Sequence, residues 1–188
     1  MHANSLVILD ANEAAMFKDP AVRAGMALVC MRNLDLVTVV DLEEPRLVWM
    51  TAGPEISRWR GLHDPTLTAE GELLVFDNLG GHSGHSRVLR VPLQTLKGMP
   101  PTSPRPTWIW EPTQAEAFSS DFCGITQELA GGNVLATESC HGRVIEIDPA
   151  TGDIVWEYIS DRLAGDNDEL VAALFEVRRI PRPAWLER

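Results

Sequence analysis

Long apolar runs are missing from these 188 residues, and with them any stretch of the length a membrane-spanning helix needs. The opening MHANSLVILDANEAAMF has no basic segment ahead of an extended apolar stretch and no small-residue cleavage site, so it does not read as an export signal. Cysteine is scarce. Cys30, Cys123 and Cys140 are an odd number without CxxC spacing, which excludes a disulfide framework and a zinc ribbon and leaves them as small core residues. Basic residues are also few: 16 Lys and Arg against 27 Asp and Glu give a formal charge of −11, which repels phosphate backbones and acidic bilayers. Neither nucleic acid nor a membrane surface is an expected partner. A local anion site stays open, because a few convergent Arg and His side chains prevail at short range. Helical periodicity is almost absent. With 45% apolar and 23% charged residues, the chain reads as one soluble globular domain over 1–188 rather than a disordered segment.

What is present is a repeat. HANSLVIL, ALVCMRN, LVTVVDL and RLVWM form a first set; HDPTLT, ELLVFDN, SRVLRVPL and PTWIWEP a second; GITQEL, NVLATES, GRVIEID and DIVWEY a third. Each set reads as four short strands, with β-branched apolar runs bounded by Gly, Pro, Asn and Asp. The openings at His2, His63 and Gly124 are spaced by 61 residues, as are Trp49 and Trp110. Trp110 to Trp156 is only 46, so loop lengths vary inside the unit. Four strands repeating at this period mean a β-propeller blade, a sheet that buries its faces by packing against its neighbours. The fold class is therefore all-β, a partial propeller of about three antiparallel blades at about 2–52, 60–112 and 122–160, with a tail at 161–188. The side chains of LVWM, WIWE and IVWE are expected to fill the wedges between blades. DPATGD, Asp148 to Asp153, reads as a hairpin turn.

Two stretches interrupt the pattern. Lys97 to Pro106 is proline-rich and reads as a solvated loop. GDNDELVAALFEV, from Gly165, carries an N-cap signal before an apolar run and reads as a short C-terminal helix covering an exposed end.

HDPTLTAEGELLVFDN, SRVLRV, TQELAGGNVLATES, GRVIEIDPATGDIVWEY and the closing RRIPRPAW together resemble the bacterial arylsulfotransferase-type propellers. The combination is specific, while DPATGDIVW alone occurs in many pyrroloquinoline-quinone-type propellers. The resemblance implies six blades around a channel holding histidines and an arginine, no cofactor, and sulfuryl transfer from an aryl sulfate to a phenol through a sulfated histidine. The family is often periplasmic or secreted; the sequence leaves the compartment of this chain open.

That chemistry needs a nucleophile neutral near pH 7, cationic donors for three oxygens, and a proton donor to the leaving phenolate. Innermost propeller strands direct their first residues into the channel, so His63 and His2 are the catalytic candidates, facing one another. His63 sits in RWRGLHDPT beside Arg58 and Arg60; the competing role for it is a hydrogen bond that holds adjacent blades in register. Gly124 replaces histidine at the third opening. Arg87, Arg60, His82 and His85 are the substrate-binding candidates, the two histidines lying in the Gly-rich NLGGHSGHSR. HxxH there lacks the third ligand that makes a zinc motif specific, so no metal site is assigned. His141 reads as a turn residue.

Asn33, Asp77, Asn78 and Glu138 end the second strands, and oxygen ligands so placed suit a hard cation. A Ca²⁺-dependent lactonase-like or quinone-type propeller is thus one alternative, and a non-catalytic binding or structural propeller another. Three blades do not close a six-bladed ring. Either further blades belong to a longer chain, or two copies form a homodimer of three blades plus three.

Overall fold

The computed structural model describes residues 3–52, 59–93, 105–113 and 117–182. The chain forms β1 (Ala3–Ile8), helix α1 (Ala11–Met16), β2 (Ala27–Met31), β3 (Leu36–Asp41) and β4 (Arg46–Ala52). There follow β5 (His63–Leu67), β6 (Glu72–Asp77), β7 (Arg87–Pro92) and β8 (Trp108–Trp110), then β9 (Ile125–Glu128), β10 (Val134–Glu138), β11 (Arg143–Ile147) and β12 (Ile154–Ile159). Each group of four is an antiparallel meander, β1-β2-β3-β4, β5-β6-β7-β8 and β9-β10-β11-β12. The expected three blades are therefore present, and among the described residues they form an open arc.

Side-chain alternation assigns each blade two faces, and the middle blade is buried on both. Its Leu73, Val75, Leu89 and Val91 join Leu28, Cys30, Val37 and Val39 of the first blade in one core. Leu74, Phe76 and Val88 join Val134, Ala136, Ile145 and Ile147 of the third blade in a second core. A strand buried on both faces cannot alternate with polar residues, which is why β6 reads as the unbroken LLVF. Of the inner strands, β5 lies against both β1 and β9.

The tryptophans close these wedges as their sequence positions suggest, but only where a following blade exists. Trp49 is 4% exposed and Trp110 5% exposed, and Trp110 Nε1 donates to the Gly152 carbonyl of the next blade at 2.9 Å. Burying an indole of this size stabilises the junction by roughly 5 kcal/mol. Trp156, the outer-strand tryptophan of the third blade, is 42% exposed. The expected hairpin after β11 forms, with Asp148 and Asp153 hydrogen-bonded across it and Gly152 at φ +80.

The short helix expected after Gly165 does not form. β13 (Leu163–Ala164) instead pairs with β14 (Leu170–Val171), and the chain continues extended across the third blade. Its amides find partners there: Ala172 N–H donates to Arg162 O and Leu174 N–H to Ser139 O. A helix of two turns has no such gain and is marginal by itself. The helix lies instead at Ala11–Met16, where Asp10 caps the Glu13 amide and Glu13 reaches back to the Asp10 amide. Its Ala14, with Phe17 just beyond it, packs into the first core, and Phe17 meets Trp49 edge-on at 5.0 Å. Of the proline-rich Lys97 to Pro106, residues 97–104 lie outside the described residues.

Candidate functional site

The start of β5, the end of β6, the start of β7 and the end of β8 share one rim of the middle blade, because antiparallel pairing sets His63 opposite Phe76 and Arg87 opposite Asp77. The candidates fall on this rim but divide among three cavities.

His63 lines a cavity of about 420 Å³ on the axial side, with Asn4 of β1, Cys123, Phe175 and Arg178. A bulge follows His63, and Asp64 adopts φ +46. The imidazole is buried, and both its nitrogens are engaged. Nδ1 lies 2.6 Å from Asn78 Oδ1 and 3.1 Å from Gly61 O, while the Cys123 amide donates to Nε2 at 3.1 Å. An N–H pointing at Nε2 requires a lone pair there, so the proton resides on Nδ1. Asn78 is fully buried and donates from Nδ2 to the carbonyls of Ser120 and Cys123. It thus ties β5 to the loop that enters the third blade.

Asp64 is buried beside His63, accepts the Thr126 amide at 3.2 Å and pairs with Arg178 at 3.1 Å. Burial pushes its carboxyl above the ordinary value, with Arg178 acting in the opposite direction. Arg178 also holds Thr126 O at 2.7 Å and Glu176 at 2.8 Å. The guanidinium bordering this cavity therefore faces two carboxylates. Cys123 is half-buried at φ +64, and burial, with Cys140 adding to it, raises its thiol pKa, so the thiol stays protonated. Only Cys30 is a fully buried core cysteine; Cys123 and Cys140 sit on the loop and turn beside the site.

Arg60, His82 and Arg87 line a second cavity, of about 680 Å³, with Asp35, Trp59 and Glu111. Arg87 is buried and pairs with Asp77 at 2.7 Å and Glu111 at 2.9 Å. Asp77 also accepts the Arg60 amide at 2.8 Å. Burial pushes the Asp77 carboxyl up to about 6 in spite of Arg87. The third blade repeats this clamp, with Arg143 between Glu138 and Glu157. The repeat is legible as RV followed by WE in SRV…WIWE and GRV…IVWE. His85 lies in a third cavity of about 340 Å³, which it shares with His82 and Glu111. His2 and Arg58 lie outside the described residues.

The strand-end oxygens are occupied by protein donors. Asp77 and Asn78 are engaged as described, Glu138 takes the Ser119 amide and His141, and Asn33 takes Arg32. Gly124 explains its own departure from histidine: at φ +132, a Cβ would stand 2.5 Å from the Phe76 ring. Sequence reasoning missed Asp64, Cys123 and Arg178 as neighbours of His63. Asp64 and Arg178 do occur in the HDP and RRIPRP strings, but nothing in either string indicates that the two meet.

A family model described as Arylsulfotransferase (ASST) matches residues 1–161. No curated protein matches the chain significantly. Among solved structures, a protein of unknown function from Bacteroides caccae is similar at 12% identity with a TM-score of 0.37, over 74% of this chain and 59% of that one. The present chain thus spans less than two thirds of that protein's length.

Proposed function

This chain belongs to the arylsulfotransferase (ASST) family, and from that premise we propose that it moves a sulfuryl group from an aryl sulfate to a phenolic acceptor through His63. One observation carries the choice of residue. Asn78 holds the Nδ1 proton, so the basic lone pair lies on Nε2 of a buried, neutral imidazole at a channel-side cavity. In the first half-reaction that lone pair attacks sulfur, the S–O bond to the aryl group breaks, and the phenolate leaves and takes a proton from solvent water, to which the acceptor phenol's proton later returns. In the second, an acceptor phenol oxygen attacks sulfur while losing its proton, the N–S bond breaks, and Nε2 recovers its lone pair. Attack requires Nε2 to part from the Cys123 amide, so the loop carrying Cys123 must yield when the donor binds. Arg178 is the guanidinium assigned to the sulfuryl oxygens. Arg60, His82 and His85 are assigned to anionic or phenolic substituents in the neighbouring cavities, while Arg87, held between Asp77 and Glu111, is assigned to positioning that rim.

The test is to incubate the folded protein with an aryl sulfate, map any adduct by peptide mass analysis, and then add a phenol. An added SO₃ group on His63 that disappears with the phenol supports the proposal. Folded protein with neither adduct nor released phenol overturns it.

A second reading, a non-catalytic propeller, is favoured by the same contacts seen differently. Each ring nitrogen of His63 already has a protein partner, and that is how a residue holding two blades in register is built. This reading expects His63→Ala to lower stability with no adduct forming in either protein.

A further inference from the structure

Three cysteines leave one over when two pair, and the fold decides which. Cys30 is fully buried, its thiol donates to the Leu62 carbonyl at 3.3 Å, and burial pushes its pKa up to about 12, so it is closed to thiol exchange. Cys123 and Cys140 are both half-buried.

Those two meet where the middle blade passes into the third. Cys123 lies in the loop leading into β9, and Cys140 in the turn between β10 and β11. Cys140 Sγ donates to the Phe122 carbonyl at 3.2 Å, and Phe122 is bonded to Cys123. Peptide geometry puts that oxygen roughly 3 Å from the Cys123 Cα, so the Cys140 sulfur stands within roughly 6 Å of that carbon. A disulfide accepts Cα separations of about 4.4–6.8 Å, and side-chain rotation with a slight loop movement brings the two sulfurs together. The thiols also act on one another, since Cys140 adds to the rise in the Cys123 pKa. The Cys140 amide donates to Ser120 Oγ at 3.1 Å, which seats the turn against the same loop. That loop covers His63: the Cys123 amide donates to Nε2, and the Cys123 carbonyl accepts from Asn78 Nδ2.

We propose that Cys123 and Cys140 are a reversible thiol–disulfide pair, oxidised by a small disulfide of the glutathione class, whose bond pins the loop over His63 Nε2. The Cys140 thiolate attacks one sulfur of the small disulfide, whose S–S bond breaks and releases one small thiol. The Cys123 thiolate then attacks the Cys140 sulfur, and the second small thiol leaves. The two protons lost by the protein appear on the two small thiols, and the two electrons it gives up reduce the oxidant. Cys140 reacts first because burial keeps the Cys123 thiol protonated. The inference does not rest on the sulfuryl-transfer reading: a His63 that takes up no SO₃ overturns that reading and leaves this one standing.

Titration of the folded, reduced 188-residue chain with oxidised glutathione, followed by alkylation and peptide mapping, tests it. The expected product has lost two alkylatable thiols, carries Cys123 linked to Cys140 and keeps Cys30 reduced, and dithiothreitol reverses the change. In the linked protein the Cys123 amide should exchange with deuterated solvent at least tenfold more slowly than in the reduced protein. Cys140→Ser, folded by circular dichroism, should show neither the link nor the slowing, and Cys123→Ser should show no link. Unreacted thiols, reaction that stops at a glutathione adduct, a link through Cys30, or a linked protein whose Cys123 amide exchanges as fast as before overturns the proposal.

Discussion

Nδ1 of His63 lies 2.6 Å from Oδ1 of Asn78, a residue fifteen positions away, and that contact decides which imidazole nitrogen is basic. Long-range nitrogen–proton NMR correlations should report the Nδ1–H tautomer near neutral pH. An Nε2–H signature would contradict the hydrogen-bond assignment and the choice of nucleophile together. Asn78→Ala leaves His63 and the Ser120 and Cys123 carbonyls short of a partner, and should cost roughly 2–4 kcal/mol in urea unfolding. In the same variant the two tautomers should become mixed.

Asp77 links acidity to stability. Its carboxyl is raised to about 6 from 3.8, chiefly by burial, so the folded chain binds that proton more tightly than the unfolded chain. The contribution to stability is present below the unfolded value and is lost as pH rises through the folded one. Asp77→Asn does not titrate. The stability of the unsubstituted protein relative to this variant should therefore fall by up to about 3 kcal/mol between about pH 4 and about pH 7. A difference flat in pH would show that the Arg87 ion pair, rather than burial, governs this carboxyl.

Gly124→Ala tests the closest approach behind the site. A methyl group there meets the Phe76 ring at 2.5 Å with the backbone at φ +132. Overpacking and conformational strain together should cost about 2–4 kcal/mol. Reducing the ring, as in Phe76→Leu, should recover part of that loss in the double variant, and thermal unfolding of the set checks it.

Trp110→Ala should be among the more damaging core substitutions, at about 3–5 kcal/mol, because it empties the wedge between the middle and third blades. Trp110→Phe keeps most of the apolar volume and loses the bond to Gly152, so about 1–2 kcal/mol is expected. Equal costs for the two would mean that the hydrogen bond, not the packing, holds the junction.

The sequence by itself determined the elements whose causes are local. Alternation and turn residues specified the four-stranded units, the unbroken LLVF marked a strand buried on both faces, and DPATGD closed its hairpin. The capping box of Asp10 and Glu13 is equally local, but the reading of the sequence passed over it and placed the short helix after Gly165 instead. Contacts across long chain separations were decided only by the tertiary structure. Apolar residues after Asp168 suit a helix or a strand, and free backbone partners at Arg162 and Ser139 selected the extended form. Arg87 reads as an anion binder until Asp77 and Glu111 are found beside it. His63 reads as a nucleophile or as a strut. Asn78, Cys123 and, through Asp64, Arg178 decide its tautomer and its surroundings, because a hydrogen bond depends on position in space and not on spacing along the chain.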